Sequence, residues 1–364
     1  MFALATLLFA SGAQANHDND VTMAAALNYL RGRQNEDGSF GKTQPRLQTG
    51  VAMLAIASIG ISAGDEATQK SDTLLLSRAA DFLVGGASIA GDMGDDSFRT
   101  ESHAIATAAL ICCVERLPDA RRRLAAGKEI ARAILLLRQN QDRSSSSAAH
   151  GGWKMEGRAG SNNDRRASAW ALYALTAAKQ VGLDVRQNDL ERGAKYLLGS
   201  FKADPKPAAD RDSAEVKPQD IGGLSVDETG LTVETISAMG GWALTRASPN
   251  ADRARKNLAW LTRNPPAWTG PNYFYANFFR ARAVRMLDAG AQTKGDIFTL
   301  TMERISRHIK DHQLGDGAIS FPPGDAQNEV AMGGVFSTAM SVLILNAADS
   351  RLPVDEDYRV KPLF

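Results

Sequence analysis

The sequence predicts an all-α protein built as a solenoid-like or closed array of six helical hairpins, and three observations carry that prediction. An amphipathic helix, a Gly-containing polar loop and a helix dominated by Ala, Ser, Thr, Leu and Ile recur in that order, at spacings of roughly 50 to 60 residues, which is the self-similarity of a repeat protein. The two helices of each pair differ in kind. First helices such as 123–140, 252–263 and 303–311 carry charge on one side, whereas second helices such as 104–114, 167–178 and 335–346 are nearly free of it. The second set should therefore form an inner ring and the first set an outer one. Finally, a lone hairpin cannot bury its apolar stripe, so the units must stack on one another.

The chain has 364 residues, 44% hydrophobic and 23% charged, enough for one large or two ordinary domains with a normal core. With 42 basic against 41 acidic side chains the net charge is +1, so no global field draws it to nucleic acid or to an anionic membrane. No nucleic-acid partner is expected. Residues 1–15 form an apolar run ending in Ala13-Gln14-Ala15, the A-x-A form of a signal-peptidase site, and are read as a cleaved export signal. The mature protein is then expected in the periplasm or outside the cell. The apolar run is far short of the roughly 20 residues that span a bilayer, so no transmembrane segment is expected. Cys112 and Cys113 are the only cysteines. Adjacent helical positions diverge in direction, so they are read as two buried small hydrophobes rather than a disulfide.

In order, the first hairpin pairs 21–34 with 47–59 across Gln34-Asn35-Glu36-Asp37-Gly38-Ser39-Phe40-Gly41. The second pairs 73–84 with 102–115, and the third pairs 123–140 with 166–179 across a loop that holds His150-Gly151-Gly152-Trp153. The fourth pairs 188–201 with 229–245 around a charged, Pro-rich insertion at 202–220, the composition of an exposed segment. The fifth runs from Ser248 and Pro249 to about Arg263 and returns as 273–287, and the sixth pairs 298–313 with 335–348. Residues 16–348 thus form a single domain, followed by an ordered or draped tail at 349–364.

These residues resemble the prenyltransferase and squalene-cyclase repeat proteins, whose units carry Gln-x-x-x-Gly-x-(Trp or Phe). Gln34 to Phe40 fits that motif. Gly151-Gly152-Trp153, followed by Asp164 and then Ser168, Ala169 and Trp170, is similar to the Gly-Gly-Trp and Asp-x-Ser-x-x-Trp pattern of bacterial members, although Asp164 and Ser168 stand four apart instead of two. Gly333 to Met340 is similar to their last-repeat signature. The resemblance spans essentially everything after the export segment and implies an (α/α)6 toroid, an inner and an outer ring of helices around a central cavity. It also implies terpene-cyclase or prenyl-transfer chemistry, yet the signatures of both are missing. The nearest approach to the Asp-x-Asp-Asp acid of squalene-hopene-type cyclases is Asp92-Met93-Gly94-Asp95-Asp96, with the wrong spacing and on a Gly-rich loop expected to be solvated. Neither cysteine has the Asp two residues earlier that the family's zinc site uses, so neither a metal nor another cofactor is expected.

If all hairpins point the same way, the inner helices open their N-termini onto one mouth, where unpaired N–H groups and a partial positive charge collect. Glu101 and His103 could act there as an acid/base pair with Asp164, because His titrates near neutrality and a carboxylate can fix its tautomer. Arg165 and Arg166 are candidates to clamp an anion, although only one of two helical neighbours can face inward. Trp170, Glu228, Tyr273 and Tyr275 complete the candidate ligand-binding set, with Phe274, Phe278 and Phe279 as a possible cavity lining. The competing reading of all of them is helix capping and core. The expected function is an exported toroid that binds an apolar or isoprenoid-like ligand or a protein partner. The alternatives are an isoprenoid enzyme with a shifted acid, Asp164 or Asp95, and a carbohydrate-active α/α barrel with two carboxylates facing across a groove.

Overall fold

In the computed structural model, the described residues are 20–59, 66–147, 149–155, 163–199, 231–244, 251–265, 267–269, 271–291, 296–323 and 330–356. They form α1 (20–31), α2 (Pro45–Ile59), α3 (Glu66–Gly85), α4 (Arg99–Cys113), α5 (Ala120–Asn140), α6 (Arg165–Gln180), α7 (Gln187–Leu198), α8 (Val233–Leu244), α9 (Ala251–Arg263), α10 (Tyr273–Ala291), α11 (Asp296–Asp311), α12 (Gly333–Leu345) and α13 (Pro353–Glu356). Residues 1–15, read above as an export signal, Glu228 and the insertion at 202–220 lie outside the described residues.

The even-numbered helices α2 to α12 pack side by side in chain order, and α12 returns to α2, so they close a ring of six. Their sequences explain the position. Every residue from Leu47 to Ser58 of α2 and from Thr100 to Cys113 of α4 is buried, as expected of a helix apolar on all sides. In α5, by contrast, the buried residues Ala126, Glu129, Ile130, Ala133, Ile134 and Leu137 follow one face, and the helix lies outside against α4 and α6. The architecture is an α/α toroid, with the two cysteines buried and unbridged within α4.

The repeat motif works as a staple between outer helices. The amide nitrogen of Gln34 donates to Gly38 O in its own turn and to Leu75 O of α3. Gln141 makes the same pair of bonds to Gly151 O and Asp189 O of α7, and Gln313 makes it to Gly317 O and Thr22 O of α1. This last staple joins residues 291 apart and closes the outer ring. The glycine of each staple has φ near +90°, and a Cβ there would lie within 2.4 Å of a carbonyl oxygen on the stapled helix, so the close approach requires glycine. Each turn is then tied inward. Phe40 N donates to Thr49 Oγ1, Trp153 N to Ser168 Oγ and Ile319 N to Thr338 Oγ1 of the following inner helix, at 2.8, 2.8 and 3.0 Å.

The end of the ring formed by the C-termini of the inner helices is plugged. Leu352, Val354 and Asp355 are buried there, and α13 packs against α6. Asp355 receives two bonds from Arg282 of α10, at 3.0 and 2.8 Å, and one from Ser350 Oγ at 2.7 Å. Ser350, Leu352, Val354 and Asp355 of the expected tail are therefore buried against the ring.

Candidate functional site

Every inner helix follows an outer one, so their N-termini share a face, and Glu101 of α4 is the residue around which that face converges. Its carboxylate forms an ion pair with Arg166 of α6, 2.8 Å from Nε. The Tyr275 hydroxyl of α10 donates to Glu101 Oε1 and lies 3.2 Å from Met332 Sδ at the start of α12. Three inner helices thus meet at one carboxyl, and the residue before a fourth, Met332, lies against the Tyr275 hydroxyl. Glu101 is fully buried, and burial pushes its carboxyl up to about 7, against the pull of Arg166 and the Tyr275 hydroxyl, while the charge of Asp164 adds to the rise. Near neutrality this group exists in both protonation states, as a proton donor or a general base requires.

Below Glu101 the axis is filled by rings. Trp170 meets Tyr275 edge-on at 6.4 Å and stacks on Phe278 at 4.8 Å, and the Arg282 guanidinium lies over the other end of the column, 3.8 Å from the Phe278 ring. Tyr173, Trp242 and Phe279 pack around this column at 5.0 to 5.8 Å between centroids. All of these rings have zero solvent exposure, so no water-sized space adjoins them. The central cavity implied by the resemblance is replaced, along this column, by aromatic core.

The sequence candidates separate into two groups. Glu101, Arg166, Trp170 and Tyr275 come together on the axis, and Asp164 lies near enough to act on Glu101 electrostatically. Asp164 is also the cap of α6, accepting from Ala167 N at 2.8 Å. His103, two residues beyond Glu101, is turned to the outer side of α4 and does not pair with it. Its Nδ1 accepts from Met93 N at 3.1 Å, its Nε2 lies 3.3 Å from Ala133 O of α5, and burial lowers its pKa, with Asp92 opposing. Arg165 likewise points outward to Tyr196 and Leu197 of α7, so of the two neighbouring arginines only Arg166 faces the axis. Tyr273 turns to α11, with its hydroxyl 3.3 Å from His308 Nδ1.

One expectation about the Gly-rich loop is corrected. Asp95 is buried rather than solvated, because it caps α2 from the neighbouring repeat, accepting from Leu47 N at 2.9 Å, and burial raises its pKa. Among the described residues no three His, Cys, Asp or Glu side chains are grouped to hold a metal, and no helix is long and apolar enough to cross a membrane. Met332, which sequence reasoning did not single out, reaches the site only because α12 closes the ring, and no local signal marks it.

No protein-family model and no curated protein sequence matches the chain. Solved structures do. A GH76 α-mannanase of Bacteroides thetaiotaomicron is similar at a TM-score of 0.58 and 12% identity, covering 91% of this chain and 96% of that one. The GH76A α-1,6-mannanase of Salegentibacter, solved with α-1,6-mannotriose as an inactive variant, gives 0.57 and 11%, covering 89% and 97%. A type II terpene cyclase of Scytonema, solved with its substrate geranylgeranyl dihydroxybenzoate, gives 0.53 and 13%, covering 93% and 99%. The class is therefore an α/α toroid of the kind shared by terpenoid cyclases and GH76 mannanases. At these identities the likeness is one of fold.

Proposed function

We propose that this protein is an exported binding toroid that keeps the cyclase-type frame but fills its interior, so that recognition takes place on the face made by the N-termini of its inner helices. One observation carries this reading: Trp170, Tyr275 and Phe278 occupy the axis with zero exposure, which leaves no room there for a chain to be folded and cyclised. The ligand is then a protein partner, or the head of an apolar, isoprenoid-like molecule held at the rim above Glu101 and Arg166. A glycosidase would need two carboxylates facing across a groove, whereas Glu101 is paired with Arg166 and Asp164 is spent on a cap. The test is to incubate the purified protein with squalene and with geranylgeranyl diphosphate across pH 5 to 8, and to analyse both products and solvent extracts by mass spectrometry. The reading expects unchanged substrate and no buried co-purifying lipid, and a cyclised product refutes it.

A second reading is favoured by the raised pKa of Glu101. A carboxylic acid that remains partly protonated at neutrality, at the end of an aromatic column able to stabilise a cation, has the components of an acid-initiated isoprenoid enzyme. It predicts turnover that Glu101→Gln abolishes and Asp95→Asn leaves in place.

A further inference from the structure

The first turn of α4, which carries Glu101, has no side-chain cap and follows only a short 3-10 turn at Asp96–Phe98. Among the described residues its polar ties to other repeats are Thr100 N, which donates to Met155 O at 2.9 Å, and Glu101 with Arg166 and Tyr275. Polar groups beside those ties are left unsatisfied. Thr100 Oγ1 in the same turn and Trp170 Nε1 on the axis are buried and find no hydrogen-bond partner among the described residues, whereas water would satisfy both. The charges around Glu101 are also unbalanced, because Arg166 stands against the carboxylates of both Glu101 and Asp164. The surrounding elements do not correct this. Arg46 of α2 is bonded to Gly94 O and Gly86 O, and α12 carries no charged side chain. Arg280, Arg282 and Arg285 of α10 are bonded to Asn264 O, Asp355 and Ala347 O, while Asp95 caps α2 and Asp96 is exposed. A glutamate in water titrates at 4.5 and this one is raised to about 7, so its ionisation favours any arrangement in which the carboxyl reaches water.

We propose that the first turn of α4 is a proton-operated flap on this face: it is shut while Glu101 carries a proton, and ionisation of Glu101 favours an open arrangement in which the turn lifts from α6 and α10 and water reaches the axial cluster. This regulates the recognition face and rests on the reading given above for its use, because a ligand that needs Glu101 or Arg166 uncovered binds in proportion to the open fraction. Native-state hydrogen exchange on the full chain, without ligand and corrected for the intrinsic pH dependence of exchange, tests it. The amides of residues 100–105 should exchange through a local opening that low urea does not change. Their open fraction should rise about tenfold from pH 6 to 8 relative to Glu101→Gln, in which this rise is absent. His103, whose pKa is lowered, is present in both proteins and cancels. Tyr275→Phe removes a hydrogen bond that favours the ionised carboxyl, so it should increase opening more at pH 8 than at pH 6, whereas loss of packing alone would act equally at both. The proposal is overturned if residues 100–105 exchange only with the global unfolding reported by the buried amides of α2, or if their opening depends on pH in the same way in Glu101→Gln. Where Glu101→Gln does not fold, the native chain against Tyr275→Phe decides, and an equal change at the two pH values overturns it. None of these outcomes bears on the substrate incubation above, so the flap and the proposed function fail separately.

Discussion

Replacing Glu101 by Gln keeps the volume of the axial carboxyl and removes its titration, which makes the burial of this group measurable. In the folded protein the carboxyl is raised to about 7 from the 4.5 of a free glutamate. At about 1.4 kcal/mol per tenfold, that difference corresponds to roughly 3 kcal/mol. The folded state holds this proton more tightly than the unfolded chain, so folding takes up a proton between about pH 4.5 and 7. The group's contribution to stability is therefore most favourable below the lower value, falls as pH rises through the window, and is level above it. Urea unfolding of the native chain and of Glu101→Gln at about pH 5 and 7.5 isolates the effect. Leaving Arg166 without its carboxylate shifts the variant by a similar amount at both values. His103 acts in the opposite direction, because its lowered pKa removes stability as pH falls below about 6.5, but it does so in both proteins and cancels. The stability of the native chain relative to the variant should improve by about 2 to 3 kcal/mol on going from the higher pH to the lower. A difference that does not change with pH would refute both the burial of Glu101 and the reasoning built on it.

Other perturbations test the frame. Asp355→Ala leaves the Arg282 guanidinium buried without its partner and should cost about 3 to 5 kcal/mol in chemical unfolding, with part of the loss recovered by adding Arg282→Met. Gly317→Ala places a Cβ 2.4 Å from Ala25 O at a φ of +91° and should destabilise by more than about 1 kcal/mol. Gly315→Ala, which meets nothing within 4 Å, is its control and should be near neutral. Burial raises the Cys113 thiol to about 12 and Cys112 is also buried, so a thiol reagent such as Ellman's should label neither cysteine in the native protein and both after denaturation. Expression in a Gram-negative host followed by N-terminal sequencing checks export, with a mature chain beginning at Asn16 as the expected result.

The hairpin plan was legible because it is written locally. Residues 47–58 lack charge around the whole helix, whereas 123–140 are charged on one side, and that contrast alone places α2 inside and α5 outside. The staple at Gln34 was legible for the same reason, since its glutamine, glycine and aromatic residue fall at fixed short spacing. The equivalent staples at Gln141 and Gln313 were not recognised. In one an insertion moves the glycine to position 151, and in the other Ile319 stands where an aromatic residue is expected, so only their matching hydrogen bonds reveal them. The site was half legible. Helical geometry requires Glu101 and His103, like Arg165 and Arg166, to point in different directions, but which member faces the axis depends on how each helix is rotated in the ring.

By itself, then, the sequence determined the number of hairpins and the division into inner and outer helices, because burial period and turn chemistry act over a few residues. Tertiary structure alone decided that α12 returns to α2, that Gln313 reaches Thr22, that Arg282 finds Asp355, and that rings fill the axis where a cavity was expected. Each of those outcomes joins residues many positions apart, so it depends on the packing of rings and ion pairs exceeding the entropy lost in bringing distant segments together, which no local pattern records.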